Sequence, residues 1–171
     1  MVRIAATPIC PCSLILYNHR APRGRSLPYT IMKNPKYFEL TELLKSETAV
    51  AHGIENLPTW EIVETLKRFA SNTLDPIRIK WGQALIVSSG YRVPELNIIV
   101  GGSATSDHME GLAVDIKLPS WSKRKLSELF HLIQEMVESG EIDIDQVIYY
   151  RKKKIIHIGT GEKLRKQFIV K

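Results

Sequence analysis

Three side chains far apart along the chain could share one divalent metal ion: His108, Asp115 and His157. Asp115 stands between Val114 and Ile116, inside a run from Leu112 to Leu118 that reads as an apolar strand. A lone carboxylate there carries a large desolvation cost unless a partner neutralises it. A metal cation is one such partner, and Arg92 or Lys117 is another. His157 raises the same question in Lys-Ile-Ile-His-Ile, where a histidine either packs as a satisfied core residue or ligates. Two imidazoles and one carboxylate suit Zn²⁺ with a fourth position left for water.

The elements around these residues are arranged to deliver them. Gly101-Gly102-Ser103-Ala104-Thr105 forms a loop that leads through Ser106 and Asp107 to His108. The glycine pair lets the chain turn sharply before the strand. Gly111 allows a close backbone approach between His108 and Asp115.

From about Lys36 to its last residue, the chain resembles the zinc D,D-carboxypeptidase superfamily. That superfamily includes VanY-type carboxypeptidases, phage peptidoglycan peptidases and, more distantly, the Hedgehog signalling domain. Three ordered blocks carry the resemblance. The first is Ser88-Ser89-Gly90-Tyr91-Arg92, followed by Pro94-Glu95-Leu96-Asn97. The second is Ser106, His108, Gly111, Ala113 and Asp115, which is similar to the S-x-H-x-x-G-x-A-x-D signature. The third is Asp145-Gln146-Val147-Ile148-Tyr149 with Ile156-His157-Ile158. The resemblance implies one zinc per chain, held by His108, Asp115 and His157. It implies a substrate-binding and catalytic Arg92, whose guanidinium would hold a peptide carboxylate bidentately. It also implies a substrate-side hydrogen bond from Ser106, with Tyr91 bordering the cleft. The implied activity is a zinc carboxypeptidase or endopeptidase, endolysin-like in kind, acting on peptidoglycan stem peptides.

The resemblance breaks at the general base. Phage-type and Hedgehog-type relatives carry a glutamate six residues before the second histidine, where this chain has Arg151. Other relatives carry an acid three residues before it, where this chain has Lys154. An arginine cannot accept a proton at neutral pH. Several readings stay open. Glu110, or else Asp107, takes the proton. Tyr149 or Tyr150 assists. The turn from Arg151 to Lys154 shifts register. Otherwise the chain is a catalytically weak or inactive zinc-binding module that holds cell-wall peptide or a protein partner.

Hydrophobic periodicity outlines the scaffold. A helix starting at Thr59 is marked by Ile62, Val63, Leu66, Phe69, Ala70 and Leu74, and Pro76 is expected to break or kink it. Ala84 to Ser88 reads as a buried strand ending at Gly90. Ser122 caps an amphipathic helix with Leu126, Leu129, Ile133, Met136 and Val137 on its apolar stripe, and Gly140 stops it. Gln146 to Tyr150 and Lys154 to Thr160 read as a hairpin. This order predicts an α+β fold, a small and mainly antiparallel sheet with flanking helices. Trp60, Trp81 and Trp121 read as packing residues, and His19, His52 and His131 as residues outside the site.

Bulk properties set the remaining bounds. A chain of 171 residues suits one domain and can bury a core without staples. No apolar run reaches the roughly 20 residues of a bilayer span. The net charge of +6, from 24 Lys+Arg against 18 Asp+Glu, favours polyanionic surroundings such as nucleic acid or an anionic cell envelope with its cell-wall polymers, and charge alone does not choose between them. No stacking aromatics interleave with the basic clusters, which argues against a single-strand nucleic-acid groove. Cys10 and Cys12 read as free thiols. Residues 1–34 are proline-rich and without periodicity, and read as an irregular extension before a domain at 35–171. Pro8 and Pro11 interrupt the apolar stretch from Ile4 to Tyr17, so it makes no convincing signal peptide, and Met32 is read as the natural start. A wall substrate would then require export, lysis or delivery by a phage.

Overall fold

Alternation along three strands decides which side chains meet the helices and which face away. In the computed structural model, which describes residues 34–161 and 163–171, these strands are β2 (Ala113–Lys117), β3 (Gln146–Tyr150) and β4 (Ile155–Gly159). Val114, Ile116, Val147, Tyr149, Ile156 and Ile158 fall on one face and are buried in the core. With a side-chain period of two, Asp115, Lys117, Tyr150, Ile155 and His157 must project from the other face. The sheet is completed by β1 (Ile86–Ser89) and β5 (Gln167–Val170), in the order β1-β2-β4-β3-β5. All neighbours are antiparallel except β3 and β5. The fold is therefore α+β, as the pattern predicts. Residues 1–33, with the expected extension, both cysteines, His19 and Met32, lie outside the described residues.

The helices precede and interleave with the strands: α1 (Leu40–Leu44), α2 (Glu47–His52), α3 (Trp60–Phe69), α4 (Asp75–Trp81), α5 (Pro94–Ile99) and α6 (Lys123–Glu138). The Ser122 hydroxyl accepts the Lys125 N–H and so opens α6. The stripe of Leu126, Leu129, Ile133, Met136 and Val137 is at most 1% exposed. Each such side chain stabilises the fold by about 1.5–3 kcal/mol through burial. Gly140 takes φ 75 just past the helix end.

Three expectations need correction. The strand read as buried over Ala84 to Ser88 runs over Ile86–Ser89 at the sheet edge and is only partly buried. Pro76 does not end the helix that starts after Thr59. A π turn over Ala70–Leu74 joins α3 to α4, and Pro76 sits in the first turn of α4. The π turn suspends the regular i→i−4 ladder just where proline has no N–H to donate. Trp60 and Trp121 are not packing residues: they are 68% and 55% exposed. Lys67 lies over the Trp60 ring and Lys154 over the Trp121 ring, 5.4 and 4.4 Å from the centroids. The exposed His52 and His131 lie away from the cleft.

The segment joining β4 to β5 is fastened by one buried carboxylate. Asp145 is 2% exposed and accepts hydrogen bonds from the Arg165 backbone N–H (2.8 Å) and from Arg165 Nε (2.9 Å). The Arg165 contacts hold the Asp145 carboxyl below the usual aspartate range, against the opposing effect of burial. Because the folded value is depressed, the stabilisation is complete above the ordinary value of 3.8 and is lost as pH falls through the folded value. Asp145→Asn is therefore expected to destabilise the chain at neutral pH. Its deficit against the parent should shrink in strong acid, as urea unfolding at the two pH values would show.

Candidate metal centre

Strand register places two of the three candidate ligands directly side by side. Asp115 of β2 pairs with His157 of β4, so both project from the face opposite α6. His157 Nδ1 lies 2.9 Å from Asp115 Oδ1. His108 comes from the loop before β2 and is 3% exposed. Its Nδ1 lies 2.7 Å from the Gly90 carbonyl oxygen. A carbonyl only accepts, so Nδ1 carries the proton and the Nε2 lone pair faces Asp115 and His157. In metal sites an imidazole ligand is commonly held in this way, its other nitrogen donating to a carbonyl or carboxylate that fixes the ring.

The three donor atoms are spaced as a metal requires. His108 Nε2 is 3.3 Å from His157 Nδ1 and 3.5 Å from Asp115 Oδ1. Bonds of about 2.0–2.1 Å in a tetrahedral site put neighbouring donors about 3.3 Å apart. The two nitrogens and one oxygen also match the donor types that Zn²⁺ prefers. The residues present thus fit the ion, which would replace the proton now shared by His157 and Asp115.

Arg92 completes the electrostatics. Its Nη2 donates to Asp115 Oδ2 at 2.9 Å and lies 3.1 Å from His108 Nε2. Its Nε donates to Ser89 Oγ at 2.9 Å. The two carboxylate oxygens of Asp115 therefore have separate tasks: Oδ1 faces the imidazoles and Oδ2 faces the guanidinium. Arg92 and a metal are alternatives for Asp115 in the sequence, but the geometry accommodates both. Burial raises the Asp115 carboxyl, yet the imidazoles of His108 and His157 beside it outweigh that effect and hold the group well below its ordinary value. Burial lowers the Arg92 guanidinium, and Asp115 opposes that shift.

These groups line a cleft of about 640 Å³, with Ser106 in its wall. The other sequence candidates fall elsewhere. Tyr91 is 5% exposed and packs in the core behind Arg92. Its hydroxyl is raised by burial and by the nearby charge of Glu110. Glu110 is exposed on the turn after His108 and does not line the cleft. Neither does Arg151 or Lys154. The carboxylates that do line it, besides Asp115, are Asp107 and Glu47.

Sequence reasoning passed over Glu47 and Asn97. Glu47 opens the short helix α2, far from any motif, and carries no local signal. Asn97 is 2% exposed and donates to the Ser103 carbonyl at 2.8 Å, which ties the glycine loop to α5. Its place in the Pro-Glu-Leu-Asn block marks it only by resemblance.

No curated protein matches the chain. The family model described as Peptidase M15 matches residues 36–159, a span that contains all three candidate ligands and Arg92. On that match, together with this convergence of donors, the chain belongs to the peptidase M15 family.

Proposed function

We propose that the protein is a zinc metallopeptidase that hydrolyses peptidoglycan peptides, as a carboxypeptidase or an endopeptidase. The observation that carries this reading is the set of three donors spaced for one tetrahedral ion beside a charged guanidinium. A zinc bound there would supply Lewis acidity, polarising the scissile carbonyl and lowering the pKa of a water to about 7. His108, Asp115 and His157 hold the ion. Arg92, anchored by Ser89 and Asp115, offers a substrate carboxylate its Nη1, which now lies 3.5 Å from Asn97 Oδ1. Ser106 in the cleft wall offers a hydroxyl to the peptide. Tyr91 serves by packing behind Arg92. A carboxylate takes the proton from the attacking water. Asp107 and Glu47 stand in the wall, and Glu110 lies two residues beyond His108.

The test is metal analysis of the native protein with cleavage of purified peptidoglycan fragments. About one zinc per chain and chelator-sensitive release of peptide are expected. Native protein without zinc would overturn the reading. Of the variants Asp107→Asn, Glu47→Gln and Glu110→Gln, the one that removes the base should lower kcat by about 10²–10⁴-fold.

One observation favours a second reading, a zinc-binding module that docks on wall peptide or a protein partner with little turnover. Arg151 and Lys154 hold the positions where relatives carry an acid. Under this reading Arg151→Glu raises peptide cleavage at least tenfold, a fraction of what a general base supplies. A single-turnover assay on zinc-loaded protein would read that gain.

A further inference from the structure

The cleft extends along the sheet beyond the metal row. Asp115 and His157 form one row across the sheet. Two residues further along the same face comes a second row, with Lys117 on β2, Ile155 on β4, Tyr150 on β3 and Ile86 on β1. All four line the cleft. The rows are about 7 Å apart at 3.3–3.4 Å per residue. Lys153, in the turn between β3 and β4, also lines the cleft and lies over the Tyr150 ring at 5.2 Å. Lys117 and Lys153 are both exposed, and among the described residues neither is ion-paired to a carboxylate.

Arg92 belongs to the opposite end. β1 runs antiparallel to β2, with Ile86 level with Lys117 and Ser89 level with Asp115. The chain then continues past the metal row and carries Arg92 away from Lys117. A substrate whose terminal carboxylate sits at Arg92 and whose chain follows the strands toward Lys117 carries its amino-side residues over the second row. It meets an apolar floor of Ile155, Ile86 and the Tyr150 ring, flanked by two ammonium groups.

We propose that the second row selects acidic peptides, with a side carboxylate one or two residues on the amino side of the scissile bond held by Lys117 and Lys153. The spacing follows from an extended chain, which covers about 3.3–3.6 Å per residue. This assignment rests on the peptidase reading for the placement of the scissile bond. The charge preference itself is a property of binding and can be measured without turnover.

The probe is a matched pair of short peptides with a free C-terminus, carrying Glu or Gln at the third position from the end. Affinity is measured by calorimetry, and KM and kcat on the zinc-loaded chain. The Glu peptide should bind about three- to tenfold more tightly, as two exposed ion pairs allow. The difference should appear in KM rather than kcat and should fade as salt is raised. Lys117→Ala with Lys153→Ala should remove the preference, and Lys117→Glu with Lys153→Glu should reverse it. Both positions are exposed, and thermal melts would verify that the variants fold.

Equal binding of the two peptides by the parent chain would overturn the proposal. So would a preference that survives in the double alanine variant, or binding of neither peptide. Selective binding without any cleavage would sink the peptidase reading and leave this one standing. Cleavage of both peptides at equal efficiency would do the opposite.

Discussion

Asp115→Ala is expected to abolish zinc binding and to destabilise the metal-free chain by about 2–4 kcal/mol. The first effect follows because Asp115 is one of the three candidate donors. Losing a donor costs more than the roughly 10–100-fold in affinity lost when a partner that orients a ligand is removed. The second effect follows from Oδ2, which neutralises an Arg92 side chain only 12% exposed. Without it a guanidinium stays buried with no counter-charge, and His157 loses its hydrogen-bond partner. Asp115→Asn separates the effects, since the amide keeps the shape but not the charge and should still lose the metal. Urea unfolding of the chelated proteins reads the stability, and competition with a chromophoric chelator reads the affinity. Stoichiometric zinc in Asp115→Ala would refute the assignment of the centre.

Gly90→Ala should damage both the fold and the metal centre through a single methyl group. A Cβ at Gly90 would lie 2.1 Å from the Leu43 carbonyl oxygen and 2.8 Å from its carbon. Both atoms are backbone, so neither can swing aside, and the end of β1 must separate from α1. The Tyr91 N–H would then lose its bond to the same Leu43 oxygen, now 2.8 Å long. We expect a stability loss of about 3 kcal/mol, at the upper end for overpacking. The Gly90 carbonyl also holds His108 Nδ1, so displacing it frees the imidazole to rotate. Zinc affinity should fall by about 10–100-fold in consequence. Gly82→Ala is the control: nothing lies within 4 Å of its Cβ, so only its φ of 72 opposes the change, and zinc affinity should hold. Parental zinc affinity in Gly90→Ala would show that the carbonyl does not orient His108.

Two of the three candidate donors stand out in the sequence because they break a rule, and His108 is marked only by resemblance. Asp115 and His157 interrupt apolar strands, and a polar group in such a place requires a partner. Periodicity also marked α6, β2 and the β3–β4 hairpin, whose strands or turns repeat often enough to register. The short helices α1, α2 and α5 span five or six residues, too few for a 3.6-residue period to show. β5 was invisible for a different reason. Gln167–Val170 gains its place by parallel pairing with β3, twenty-one residues earlier, through contacts that no local pattern encodes. Proline rules misled at Pro76 because they describe a regular helix, and the chain there is not regular. The cleft lysines carry no sequence signal at all. Lys117 and Lys153 look like ordinary solvated charges until the register sets them over one floor.

The widened turn between α3 and α4 amounts to one surplus residue in an otherwise continuous rod. Each residue of an α-helix advances the chain by about 100° around its axis. Excising one residue from Ala70–Leu74 would straighten the rod and swing everything after it by that angle. Ile77, 0% exposed, would rotate out of the interior. Asp75 would leave the Lys36 and Tyr37 N–H groups that it holds at 2.6 and 3.1 Å, releasing the incoming chain from the domain. A single-codon deletion in this stretch should therefore be far more harmful than one in the exposed turn before α6, even though both remove one residue outside the metal cleft.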